Sequence, residues 1–171
     1  MRCRMAKAEN GVRRARDAAL KYLGVRAHTV RELREKLLRK RFPETVVVRV
    51  IEELENLRLL DDDQFARTWV ETRQRTRPVG SARLEEELRR KGIDETVIAR
   101  VLEEFRETLD TPDEAVSLLR RQKWRYAGLE EKKAKRRMWG FLARRGYPQE
   151  AMRRAIDKVW EDLKRNEVER D

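Results

Sequence analysis

Apolar residues return every three or four positions along the chain, and no window alternates as a strand does. Steps of three and four place side chains on one face of a helix. The same apolar pattern occurs three times. Leu33, Leu84 and Met138 share a register, as do Leu37, Leu88 and Leu142. A short turn follows each, centred on Phe42, Ile93 and Tyr147, which lie 51 and 54 residues apart. Beyond the turn Val46, Val97 and Ala151 coincide, then Val50, Val101 and Ala155, then Ile51, Leu102 and Ile156, then Leu54, Phe105 and Val159. Each repeat therefore predicts two amphipathic helices joined by a turn.

The turn residues support the register. Gly92 and Gly146 fall where a helix ends in a left-handed residue, and Asp94 or Pro148 then starts the next helix. Arg41 takes the place of glycine in the first copy, which predicts a strained or alternative cap there. A third helix precedes each pair, around Ala18–Tyr22, Phe65–Thr72 and Ala115–Trp124. Thr29-Val30-Arg31-Glu32 and Thr111-Pro112-Asp113-Glu114 read as capping boxes. The expected fold is all-α: three tandem three-helix repeats forming an elongated, curved array. Its expected divisions are a charged lead at 1–11, repeats at 12–60, 61–109 and 110–166, and a tail at 167–171. The loop Arg75–Ser81 and the stretch Asp110–Pro112 are the expected flexible points.

Composition adds a partner class. Charged residues make up 44% of the 171, and the net charge is +11, mostly from arginine. Regular periodicity with only seven glycines and four prolines argues against a disordered tail. The surplus is uneven, at +8 over residues 1–60, −2 over 61–109 and +5 over 110–171. Two basic ends favour a polyanionic partner. Arginine, whose fork is bidentate, suits phosphate or carboxylate. A solvated, salt-bridged helical surface is the plainer reading of the same composition.

Little here points to catalysis. His28 is the one histidine and Cys3 the one cysteine, which leaves no catalytic set and no zinc site. No cofactor loop is present, and none is expected. A single cysteine forms no internal disulfide and fits a reducing compartment. The absence of a membrane-length apolar run or a signal-peptide core places the expected protein in the cytoplasm. Asp61-Asp62-Asp63 is a carboxylate cluster, but it precedes a helix start, where acidic side chains cap free amides. A cap is the preferred reading over a metal site.

The candidate contacts are basic. Arg73, Arg75 and Arg77 form one run. Arg120, Arg121, Lys123 and Arg125 surround Trp124, an interleaving suited to nucleic acid. Lys132, Lys133, Lys135, Arg136 and Arg137 form a third run, followed by Arg144 and Arg145. Trp69 is expected in the core, and Trp139 and Trp160 in packing. Trp124 suits either a nucleic-acid surface or a buried stripe.

Four strings carry a family resemblance: Arg26–Leu33, Leu59–Val70, Leu88–Ile93 and Phe141–Tyr147. In this order they closely resemble the signature of the RecX regulatory proteins of bacteria, over roughly residues 12–160. Within it Leu60, Asp61, Asp62, Phe65, Trp69, Gly92 and Gly146 are expected to be structural. The resemblance implies a modulator, mostly an inhibitor, of the RecA recombinase. Such a protein would lie in the groove of the RecA–DNA filament, restrain its ATPase, co-protease and strand-exchange activities, and serve in DNA repair, homologous recombination and the SOS response. The implied partners are that filament and single- and double-stranded DNA, without a membrane, for a protein that is itself a monomer. A stand-alone DNA-binding helical module is the second reading.

Overall fold

The computed structural model describes the backbone of residues 2–168 and the side chains of residues 9–165. The side chains of residues 1–8, Cys3 among them, and of residues 166–171 lie outside those described. Among the described residues the chain forms nine α-helices and no strand. They are α1 (Arg2–Leu23), α2 (Val30–Arg39), α3 (Glu44–Asn56), α4 (Asp62–Thr76), α5 (Ser81–Arg90), α6 (Glu95–Glu104), α7 (Pro112–Arg120), α8 (Glu131–Ala143) and α9 (Gln149–Val168), with a 3₁₀ turn at Lys123–Arg125. Helix α1 begins at Arg2, so the expected lead is helical backbone.

The helices gather into two compact units. The first comprises Met1–Trp69 and Leu88–Val101. The second comprises Val70–Glu87 and Leu102–Asp171. In the first unit, Val12, Ala15 and Ala19 of α1 pack with Leu33 and Leu37 of α2 and with Val47, Val50, Ile51 and Leu54 of α3. In the second, Val116 and Leu119 of α7, Met138 and Leu142 of α8, and Ala155, Ile156 and Val159 of α9 share a core with Tyr126 and Tyr147. The register holds in detail, because Leu33, Leu84 and Met138 are all fully buried, as are Leu37, Leu88 and Leu142.

Each unit contains the same clasp. In the first, the start of α2 receives the turn between α5 and α6. Thr29 caps α2, accepting from the Glu32 amide at 3.1 Å, and donates its hydroxyl to the Lys91 carbonyl at 2.8 Å. Asp62, 32 residues away, accepts from the Val30 amide at 2.9 Å. Gly92 has φ 81°, and a methyl group there would collide with the Arg31 side chain. In the second unit, the start of α5 receives the turn between α8 and α9. The Gly80 amide donates to the Arg145 carbonyl at 2.8 Å. Asp110 accepts from the Ser81 amide at 3.0 Å and from its hydroxyl. Gly146 has φ 78°, and an added Cβ would stand 2.5 Å from the Arg83 amide nitrogen. The segments expected to be flexible, around Gly80 and Asp110, are thus tied down, since helix-start amides left unpaired would be costly.

Other expectations change with the geometry. Helix α7 stops at Arg120, so Trp124 sits in the 3₁₀ turn and is 75% exposed. Trp69 is only half-buried. It stacks on Phe65, with ring centroids 6.0 Å apart, and lies under the Lys91 ammonium at 5.1 Å. Trp139 is 37% exposed rather than packed, whereas Trp160 is buried. Arg41 does adopt the left-handed conformation, at φ 62°, in place of a glycine.

Candidate nucleic-acid interface

The aspartate triplet is absorbed by the fold. Asp61 accepts from the Gln64 amide at 2.9 Å as the cap of its own helix, Asp62 caps α2, and Asp63 pairs with Arg100. The three carboxylates serve three different partners. Burial pushes the Asp62 carboxyl up, against the pull of the Val30 amide.

The basic side chains sort into matched and unmatched groups. Arg73, half-buried, grips Glu87 with two hydrogen bonds of 2.8 and 3.0 Å. Arg120 holds Asp162 at 2.6 Å. Lys135 lies between Asp157 at 3.0 Å and Glu131 at 3.1 Å. These three charges are matched within the chain, as in the plainer reading of the composition. Arg75 and Arg77 are exposed near the end of α4, Arg121 and Lys123 beyond α7, and Lys132 and Lys133 at the start of α8.

Arg125, Arg136, Arg137 and Arg144 do more than face solvent. With Tyr126, Gly140 and Phe141 they line a recess of about 520 Å³. Arg137, Gly140, Phe141 and Arg144 stand at i, i+3, i+4 and i+7, one face of α8. Arg125 and Tyr126 come from the 3₁₀ turn and its cap. Tyr126 is buried, and burial pushes its hydroxyl up against the pull of Arg125, Arg145 and Arg144. Arg145, half-buried, lies 3.9 Å from the centre of the Phe141 ring. Burial lowers the pKa of its guanidinium, with repulsion from Arg77 and Arg144 in the same direction. Among the described residues no carboxylate lines this recess.

A recess in the first unit shows the contrast. It measures about 600 Å³ and is lined by Arg31, Arg34 and Arg89 together with Glu35, Asp62, Asp94 and Glu95. There Arg31 pairs with Glu35 at 3.0 Å and Arg89 with Glu95 at 2.6 Å. Its field is largely cancelled, whereas that of the α8 recess is not. Sequence reasoning found the arginines but not the part that Tyr126, Gly140 and Phe141 play in shaping the concavity. The i, i+3, i+4, i+7 spacing along α8 was the available signal.

Together these features define a class: a tandem three-helix repeat protein with an arginine-rich face on its third repeat. The chain matches the first three-helix domain of RecX over residues 15–54, the second over 61–102 and the third over 112–156. It is 31% identical to the regulatory protein RecX of Chlorobium phaeobacteroides strain BS1, covering 90% of this chain and 98% of that one. It is 37% identical to the regulatory protein RecX of Amycolatopsis mediterranei strain U-32, covering 82% and 80%. The crystal structure of RecX from Lactobacillus salivarius superposes with a TM-score of 0.78 over 91% of this chain and 98% of that one, at 23% identity, and shares the fold. The chain belongs to the RecX family of regulatory proteins.

Proposed function

We propose that this protein regulates the RecA recombinase by binding its filament on DNA, and that it mostly inhibits ATP hydrolysis, co-protease action and strand exchange. It acts through binding, in the cytoplasm, within DNA repair, homologous recombination and the SOS response. The observation that carries this reading, beside family membership, is the set of cationic side chains on the third repeat with no acidic partner among the described residues. Such a surface suits a filament in which polyanionic DNA is accessible. Among the described residues no helix is long and apolar enough to cross a membrane.

The test is ATP hydrolysis by RecA on single-stranded DNA, followed as this protein is added. Hydrolysis should fall at or below one protein per recombinase protomer. Unchanged hydrolysis and filament length at every ratio would remove the proposal. Inhibition that persists when ATP is raised to large excess distinguishes filament binding from simple competition for ATP.

A further inference from the structure

The α8 recess holds more positive charge in one place than the fold requires. An added Cβ at Gly140 would come within 3.2 Å of Arg144 Nη1, so this guanidinium lies folded back across Gly140. That direction leads along α8 toward the preceding turn, which carries Arg136 and Arg137. Like charges one turn apart repel. Elsewhere in the second unit such charge is relieved by acids, as in Arg73–Glu87 and Arg120–Asp162. Among the described residues no acid pairs with Arg136, Arg137 or Arg144.

The shape points the same way. A concave site with low-dielectric walls, here Phe141 and Tyr126, focuses the field on its interior. It favours several negative charges at one point over the evenly spaced diesters of a strand. Its volume of about 520 Å³ lies in the range of small-ligand sites. Beside it stands the exposed indole of Trp124, with Arg125 Cζ 5.8 Å from the ring centre. Guanidinium forks match phosphate oxygens, and an exposed indole offers a face to a base.

We propose that this recess binds the clustered phosphates of a nucleotide, with Trp124 receiving the base. Two sources present that chemistry: a free nucleoside triphosphate and the 5′-phosphorylated end of a strand. Either places more than one negative charge at one point. The site stands independently of the recombinase reading, which is scored by recombinase hydrolysis and not by ligand binding.

Calorimetry on the full chain at fixed ionic strength tests it. The titrants are ATP, inorganic tripolyphosphate, and a five-residue oligothymidylate with and without a 5′-phosphate. At least one source should fill a single site. ATP should quench tryptophan fluorescence, or the 5′-phosphate should tighten oligonucleotide binding about tenfold, and the arm that responds identifies the source. The pair Arg137→Glu and Arg144→Glu should weaken that binding at least tenfold. The pair Arg49→Glu and Arg106→Glu, with the same change in net charge, should alter it less than twofold. The milder pair Arg137→Gln and Arg144→Gln covers the case in which the reversed charges unfold α8. Equal weakening by recess and remote pairs, or no response to ATP, tripolyphosphate or the 5′-phosphate, overturns the proposal.

Discussion

Gly146 has no room for a methyl group. Its φ of 78° disfavours any Cβ, and that Cβ would meet the backbone of Arg83, which does not move aside. Gly146→Ala should therefore cost about 2–4 kcal/mol, combining left-handed strain with the clash. Gly92→Ala would meet Arg31 Cδ at 2.1 Å, which can rotate away, and Arg31 Cβ at 2.7 Å, which is fixed to α2, so its cost should fall in the same range, as urea denaturation can check. Arg41 and His28 also carry local costs. Arg41 sits at φ 62°, so Arg41→Gly should leave stability unchanged or raise it by up to about 1 kcal/mol. His28 is 4% exposed. Its Nδ1 lies 2.9 Å from the Arg26 carbonyl and donates to it, and its Nε2 has no partner among the described residues. Burial first, then the charges of Arg26 and Lys36, hold its pKa below the ordinary 6.5, against the pull of the Arg26 carbonyl and Glu32. The unfolded chain thus binds a proton more readily. This contribution is fully present above about pH 6.5 and is lost as pH falls below that value and through the lowered folded pKa. Denaturation midpoints between pH 7.5 and 5.5 should fall more for the wild type than for His28→Gln, in which this position does not titrate.

At the scale of the helix, the two clasps and α8 carry the consequences. Asp62 and Asp110 each satisfy a helix-start amide in another element. Replacing either by alanine leaves that amide unpaired and should cost about 1–2 kcal/mol. Helix α8 has 13 residues where α2 and α5 have 10, and its additional N-terminal turn displays Lys132 and Lys133. Gly140 in its interior is poor for a helix. Gly140→Ala should stabilise α8 by about 0.5–1 kcal/mol while shifting Arg144, so the melting temperature should rise and phosphate binding fall. A change that improves the fold and harms the ligand separates the two roles. The helices themselves were legible, because the 3.6-residue period repeats and because Thr29, Thr111, Gly92 and Gly146 announce their ends. The clasps were not, since pairing Asp62 with Val30 or Asp110 with Ser81 depends on contacts 32 and 29 residues apart. The recess was half legible. Its arginines stood out, but α7 ends before Trp124, and only that early stop brings Tyr126 over the α8 face.

For the molecule as a whole, the charge map sets the response to salt. Of the fourteen basic residues singled out from the sequence, Arg73, Arg120 and Lys135 are held by carboxylates. Composition reports how many charges there are but not which are already matched, and that is why the site was less legible than the fold. If Arg125, Arg136, Arg137 and Arg144 all engage phosphates, single-strand affinity should fall with salt at a log–log slope of about −3. Charge reversal at two of them should make that slope shallower by about 1.4, measured by fluorescence anisotropy from 50 to 300 mM salt, whereas Arg73→Gln should leave it unchanged.

The clasps have one more consequence, for how far relatives can drift apart. Much of what joins the start of one helix to the turn of another is peptide amides and carbonyls, with one left-handed glycine and one carboxylate at each junction. Peptide groups are the same whatever amino acid bears them, so outward-facing side chains can be rewritten over generations without loosening the assembly. Descendants are thereby released to retune their exteriors to different hosts while inheriting the same scaffold.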